Sequence, residues 1–158
     1  MRQYCILTAV LVLAACSNPT ERITSAAPQT VVEPIFGTLY SNIREPRRMV
    51  IHDEATWAQL WGEMVSTGSA PATAPDVDFS REDVVVAAMG ERRAAGYNIA
   101  IENVATTATG ALRIDVASTI PSPACAASDV ITTPLDAVRV PKTADPVQFS
   151  EKTVVMSC

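Results

Sequence analysis

Apolar residues run along this chain in different rhythms, and each rhythm predicts a different element. Residues 4–13 are almost continuously apolar behind one positive residue, Arg2, and lead through Leu13-Ala14-Ala15 to Cys16. That run is too short to cross a hydrocarbon core, which takes about 20 residues, and its order of charged, apolar and small residues is that of a secretory signal. Further on, Trp57, Leu60, Trp61 and Met64 recur at spacings of three and four. A helix that starts behind Asp53, a capping residue, and runs to 64 or 65 presents all four on one face. Residues 84–89 are continuously apolar, the pattern of a strand covered on both sides. Tyr97, Ile99 and Ile101, and then Leu112, Ile114 and Val116, instead alternate with more polar or smaller residues, as strands do with one face in and one out.

The stretches between these elements complete the pattern. Residues 31–40 have strand-like content broken by Pro34 and Gly37, which predicts an edge strand or a bulge, and 47–52 read as a short strand. Residues 66–80, with Gly68, Pro71 and Pro75, read as a loop. Gly90 and Gly96 bracket one connection and Thr109-Gly110 mark the next, so the strands at 84–89, 97–101 and 112–116 are expected to form an antiparallel meander. The segments 130–131, 137–140 and 149–156 continue the β pattern around Pro134, Pro141 and Pro146. The expected fold class is α+β: a mainly antiparallel β-sheet or two-layer β-structure of about seven strands with one packed N-terminal helix.

Domain organisation follows from the start of the chain. Residues 1–15 read as a lipoprotein signal peptide and Cys16 as the lipid acceptor, which becomes the N-terminus after cleavage. Each buried acyl CH2 contributes about 0.8 kcal/mol, so two or more chains hold a protein firmly on a membrane. Residues 16–30, rich in Ser, Thr, Pro and Ala, lack hydrophobic periodicity and read as a flexible tether; 31–158 form a single globular domain. Ser17 stands where an aspartate would signal inner-membrane retention, so the outer membrane is favoured. The net charge of −5, one unit more negative once Arg2 is removed, argues against nucleic acid as a partner.

Four cysteines are present. Cys5 leaves with the signal and Cys16 is acylated, so Cys125 and Cys158 remain in a compartment that permits disulfides, and they are expected to pair. Closing that loop contributes about 4 kcal/mol by the chain-entropy model. The alternatives are two free thiols or metal ligation, and with His52 the sole histidine no closed metal set stands at the required spacing.

The search for catalysis yields little. His52 lies between a strand and the helix cap, where a structural role is expected, and no Gly-x-Ser-x-Gly motif is present. A Ser-Lys dyad would need Lys142 or Lys152, the two lysines of the chain, and Lys142 beside Pro141 reads as a solvated edge residue. Asp76, Asp78, Ser80 and Glu82 offer oxygens at alternate positions, without the glycine of a calcium-binding loop; the simpler expectation is that Asp78 caps a turn and Phe79 enters the core. No catalytic residue, metal or cofactor is assigned. Arg92 and Arg93, near Gly90, either salt-bridge locally at a solvated tip or clamp a carboxylate of a partner.

Seven short motifs then stand in a recognisable order. They are Thr56-Trp57-Ala58-Gln59-Leu60-Trp61; Pro75-Asp76-Val77-Asp78-Phe79-Ser80; an apolar strand ending Gly90-Glu91-Arg92; Gly96-Tyr97; Pro121-Ser122-Pro123-Ala124-Cys125; Thr133-Pro134; and Val138-Arg139-Val140-Pro141-Lys142. In this order the chain resembles the domain of PrcB-type proteins. It departs from the family where Ala95 replaces the first of two glycines before the tyrosine, and where Ser122 and Leu135 replace a turn glycine and an aromatic. An Ala95 with positive φ would be strained by about 1 kcal/mol or more. The resemblance implies an accessory rather than catalytic role. On that footing the chain is expected to be an envelope protein that binds and stabilises or regulates a partner, a protease among the candidates, with Arg92, Arg93, Tyr97 and Leu135 as candidate contacts. The alternative is an envelope ligand-binding protein or hydrolase with its site under the 66–80 loop. An exposed apolar patch would favour the first, and a deep cleft with perturbed titratable groups the second.

Overall fold

The computed structural model describes residues 29–30, 32–65, 73–109, 111–126, 128–144 and 146–157. Its elements are β1 (Gln29–Thr30), β2 (Glu33–Thr38), β3 (Arg47–Ile51), α1 (Glu54–Met64), β4 (Glu82–Ala88), β5 (Asn98–Thr106), β6 (Leu112–Pro121), β7 (Leu135–Pro141) and β8 (Val147–Met156). They form two four-stranded sheets, in the orders β2-β7-β4-β3 and β1-β5-β6-β8. All neighbours are antiparallel except β6 and β8, which run parallel. The sheets pack face to face, and α1 covers the outer face of the first, giving three layers in the expected α+β class.

The helix forms where its capping chemistry allows. Asp53 is extended, and its carboxylate accepts from the Thr56 N–H at 2.9 Å and the Thr56 hydroxyl at 2.8 Å. Those bonds satisfy orphan donors of the first turn and hold the Asp53 carboxyl below its usual range. At the other end, Asn42 donates from its backbone to Met64 O and from its side chain to Val65 O, closing the last carbonyls. The predicted face, Trp57, Leu60, Trp61 and Met64, is buried. Each such side chain contributes about 2 kcal/mol of burial.

Strand β4 serves two cores. Val84, Val86 and Ala88 face the helix layer with Leu135 and Ala137, while Val85, Ala87 and Met89 face the second sheet with Val138 and Val140. This double coverage is what the continuous apolar run at 84–89 requires. Pro34 and Gly37 fall in β2, at the sheet edge, with a register shift between Pro34 and Phe36.

The meander is not observed. β4 pairs with β3 and β7, and the chain leaves the first sheet after it to start β5 in the second. The two glycines mark this crossing rather than a hairpin: Gly90 has φ 76° and Gly96 φ 92°, and no other described residue has positive φ. Ala95 is therefore free of the expected strain. A Cβ at Gly90 would lie 2.7 Å from the Arg44 carbonyl oxygen, so only glycine allows this close approach. β5 and β6 do form an antiparallel hairpin. Residues 130–131, expected in a strand, lie outside any; the ladder resumes at Thr132 and Thr133 as isolated bridges to Arg92 and Tyr40. Gln29 and Thr30, read as the end of the tether, pair with Ala105 and Val104 of β5.

Candidate partner-binding face

The starts of β5 and β7 and the ends of β2, β4, β6 and β8 meet at one end of the sandwich. Backbone bonds sew the connections there together. Thr133 donates to Leu39 O at 2.8 Å, and Ser41 donates to Thr133 O at 3.2 Å. Arg92 and Thr132 exchange bonds of 2.7 and 2.8 Å, and Ala95 donates to Ser128 O at 3.1 Å. The Ser41 hydroxyl adds a bond to Thr133 O, and the Thr133 hydroxyl returns one to Ser41 O. Three sequence-distant segments are thus held as one surface.

That surface carries every large exposed apolar side chain of the described residues: Leu39, Tyr40, Ile131, Val154, Val155 and Met156. Beside them runs a groove of about 770 Å³ whose walls include Leu39, Tyr97, Thr119, Asp136 and Met156. Asp136 lies on the inter-sheet side of β7 and accepts the Ile101 N–H at 2.8 Å. Burial pushes its carboxyl up, opposed by the backbone N–H groups of Ile101 and Ala137.

The predicted contact residues divide. Arg92 and Tyr97 come together, the guanidinium 5.9 Å from the ring centroid, and Tyr97 lines the groove. Arg93 points outward and lies 3.9 Å from Glu91, the local ion pair of the solvated-tip expectation. Leu135 is a correction: it is 2 % exposed and belongs to the core under α1, because β7 turns its odd-numbered side chains to the helix layer. The exposed aromatic beside Thr133 is Tyr40, which pairs with it from 93 residues earlier in the chain. Nothing local to Thr133-Pro134 points to it. Three consecutive apolar residues, 154–156, after the polar run 150–153 were the readable signal for the rest.

Cys125 is disulfide-bonded, and its Sγ lies 3.7 Å from the carbonyl oxygen of Met156, two residues before Cys158. Cys158 and Cys16 lie outside the described residues.

A second polar cluster sits at the opposite end of the first sheet. Asp83, fully buried, takes His52 Nδ1 at 3.0 Å on one oxygen and Lys142 Nζ at 2.9 Å on the other. The lysine contact is an ion pair without good hydrogen-bond direction; Nζ aims its bond at the His52 carbonyl, 2.8 Å away. Lys142 is solvent-exposed, as expected, and is also the counter-ion of a buried carboxylate. Burial alone would raise the Asp83 carboxyl, yet the Thr143 N–H, Lys142 and His52 together hold it below the usual range. Among the described residues no serine or cysteine is bonded to His52, so the pair is not part of a Ser-His-Asp or Cys-His-Asp arrangement there. The trio ties the β3–α1 junction to β4 and to the end of β7.

Of the 66–80 loop, residues 66–72 lie outside the described residues. The rest forms a hollow of about 610 Å³ against α1, lined by Trp57, Trp61 and Phe79 among others. Asp78 is committed to its turn, accepting from the Ser80 N–H and hydroxyl, and no metal-holding group of residues is found among the described residues.

No curated protein and no solved structure matches the chain. Residues 84–141 match the family model described as PrcB C-terminal. This segment begins in β4 and runs to the end of β7, the centre of both cores, and over it the chain is similar to that family.

Proposed function

We propose that the protein is an accessory component of the cell envelope, anchored by lipid on Cys16, that binds and stabilises or regulates a partner protein, a protease being the class to which the family match points. One observation carries this reading: the six large exposed apolar side chains gather on one rigid end of the sandwich. Monomeric proteins rarely leave contiguous apolar patches of several hundred Å² uncovered, and aromatic residues on a rigid support make strong interface anchors. The path of the chain supports the same arrangement. β1 joins β5 at Val104 and Ala105, the far end of that strand from Asn98, so the N-terminal segment enters opposite the apolar end. Pairing of Cys125 with Cys158 fits the position of Cys125 beside Met156 and would pin the end of β8 under this surface.

Crosslinking of the anchored protein in cells, followed by mass spectrometry, tests the reading. The double variant Leu39→Ser/Tyr40→Ser is expected to keep its melting temperature within a few degrees and to lose partner capture at least tenfold, since truncating an interface aromatic typically costs about 2 kcal/mol or more. Equal capture by both forms would refute it. The anchor is tested separately: Cys16→Ser is expected to accumulate as unacylated precursor, and normal acylation of that variant would remove the lipid from the proposal.

A further inference from the structure

The sheet edges differ in how they are protected. β1 has two residues, β2 carries Pro34, Gly37 and a bulge, and β3 has five residues led by Arg47 and Arg48. β8 is ten residues long, contains neither proline nor glycine, closes its sheet on one side, and is exposed from Ser150 to Met156. Its charges are already occupied. Arg48 holds Glu151 through two bonds of 2.7 and 3.0 Å, and Lys152 pairs with Glu102 at 2.6 Å. The remaining side chains of the outer half are Thr153, Val154, Val155 and Met156. Natural proteins blunt such edges with bulges, prolines or charges; β8 has no proline and no register break, and its two charges, Glu151 and Lys152, are both paired.

The register fixes which main-chain groups look outward. The carbonyls of Pro146 and Met156 both turn to the β6 side, accepting from Leu112 and Ser122 at 2.9 and 3.0 Å, and no register break lies between them. In a parallel ladder, alternate residues give both their N–H and C=O to one neighbour. Even-numbered residues of β8 therefore bond to β6, and Glu151, Thr153 and Val155 direct theirs to the open edge.

We propose that β8 is the docking strand of this protein, and that its occupant is an extended, uncharged segment of the partner carrying β-branched apolar residues, added as a fifth strand beside 151–155. This rests on the accessory reading above. Only another extended backbone satisfies a row of alternating donors and acceptors, and side chains laid next to Val154 and Val155 meet apolar surface on both faces. Paired charges at Glu151 and Lys152 leave nothing there for a charged segment to gain.

The test uses the full mature chain and a ten-residue peptide of alternating valine and threonine, with an analogue N-methylated at alternate residues. In the free protein, hydrogen exchange should be faster at the Glu151, Thr153 and Val155 amides than at Lys152, Val154 and Met156. The peptide should protect the first three, and N-methylation should weaken binding at least tenfold. Thr153→Pro, which removes an outward donor and leaves the β6 ladder intact, should do the same. If that variant melts early, the N-methylated peptide against unchanged protein decides alone. Absence of protection at these amides, or binding indifferent to N-methylation, overturns the proposal, as does a dimer of this chain formed through β8. A cellular partner still captured by Thr153→Pro but lost with Leu39→Ser/Tyr40→Ser would leave the accessory reading standing and remove β8 from it.

Discussion

Trp57→Ala is expected to destabilise the protein by about 3 to 5 kcal/mol, read as a shift of the urea midpoint at constant slope. The indole is 1 % exposed and stands at the centre of the helix layer, edge-on to Trp61 with ring centroids 5.4 Å apart, and Trp61 in turn packs edge-on to Phe36 at 5.0 Å. Truncation leaves a cavity between α1 and β4 that the close-packed valines cannot fill without leaving their rotamers. It also strands the Pro75 carbonyl, which accepts from the indole N–H at 3.0 Å. Trp57→Phe separates the contributions, keeping most of the volume and losing the bond, and should cost clearly less than the alanine variant. A loss under about 1 kcal/mol for Trp57→Ala would show that the helix is not held through this face.

Asp83→Asn should cost about 3 kcal/mol near neutral pH. The carboxylate is wholly buried, and removing its charge leaves Lys142 paired only with a carbonyl; loss of one member of a buried ion pair typically costs about 3 to 5 kcal/mol. His52 and Lys142 both reach solvent, which places the effect at the lower end of that range. Because the folded state lowers the Asp83 carboxyl, the unfolded chain binds its proton more readily, and stability rises with pH across the interval between the two values. The advantage of the wild type over Asp83→Asn should thus be complete above about pH 5, begin to decline near the unfolded value of about 4, and disappear as the pH falls through the lower folded value. Asp136, whose carboxyl is raised, contributes with the opposite sign: its share declines as pH rises through its folded value. Urea melts of both proteins from about pH 2 to 7 test this, and a pH-independent difference between them would contradict it.

What the sequence made legible was periodic and local. The helix, its cap at Asp53 and its buried face follow from spacing and one side chain, and the doubly covered strand follows from an unbroken apolar run. Pairing between strands was not legible in the same way. Glycines at 90 and 96 signal positive φ without saying whether the chain turns back along its neighbour or crosses to another sheet, and here it crosses. The candidate partner-binding face was harder still, since Tyr40 meets Thr133 only through the β2–β7 register, and Leu135 changes from contact to core once β7 has strands on both flanks and a helix above. Lys142 is exposed, as its place after a proline suggests, but its pairing was not legible, because its counter-ion lies 59 residues away across a sheet.

Consecutive side chains of β4 alternate between the helix layer and the sandwich interior, so neither layer can be shed while the other survives: exposing Val84 and Val86 loosens the strand that holds Val85 and Ala87. Unfolding of the strand region should therefore be all-or-none, without a species that has lost its helix and kept its sheets. In any protease-containing compartment this sets the protein's durability. Cleavage within the strands has to wait for global opening, so its lifetime there tracks the total unfolding free energy, and any partner that binds the folded state prolongs it by mass action.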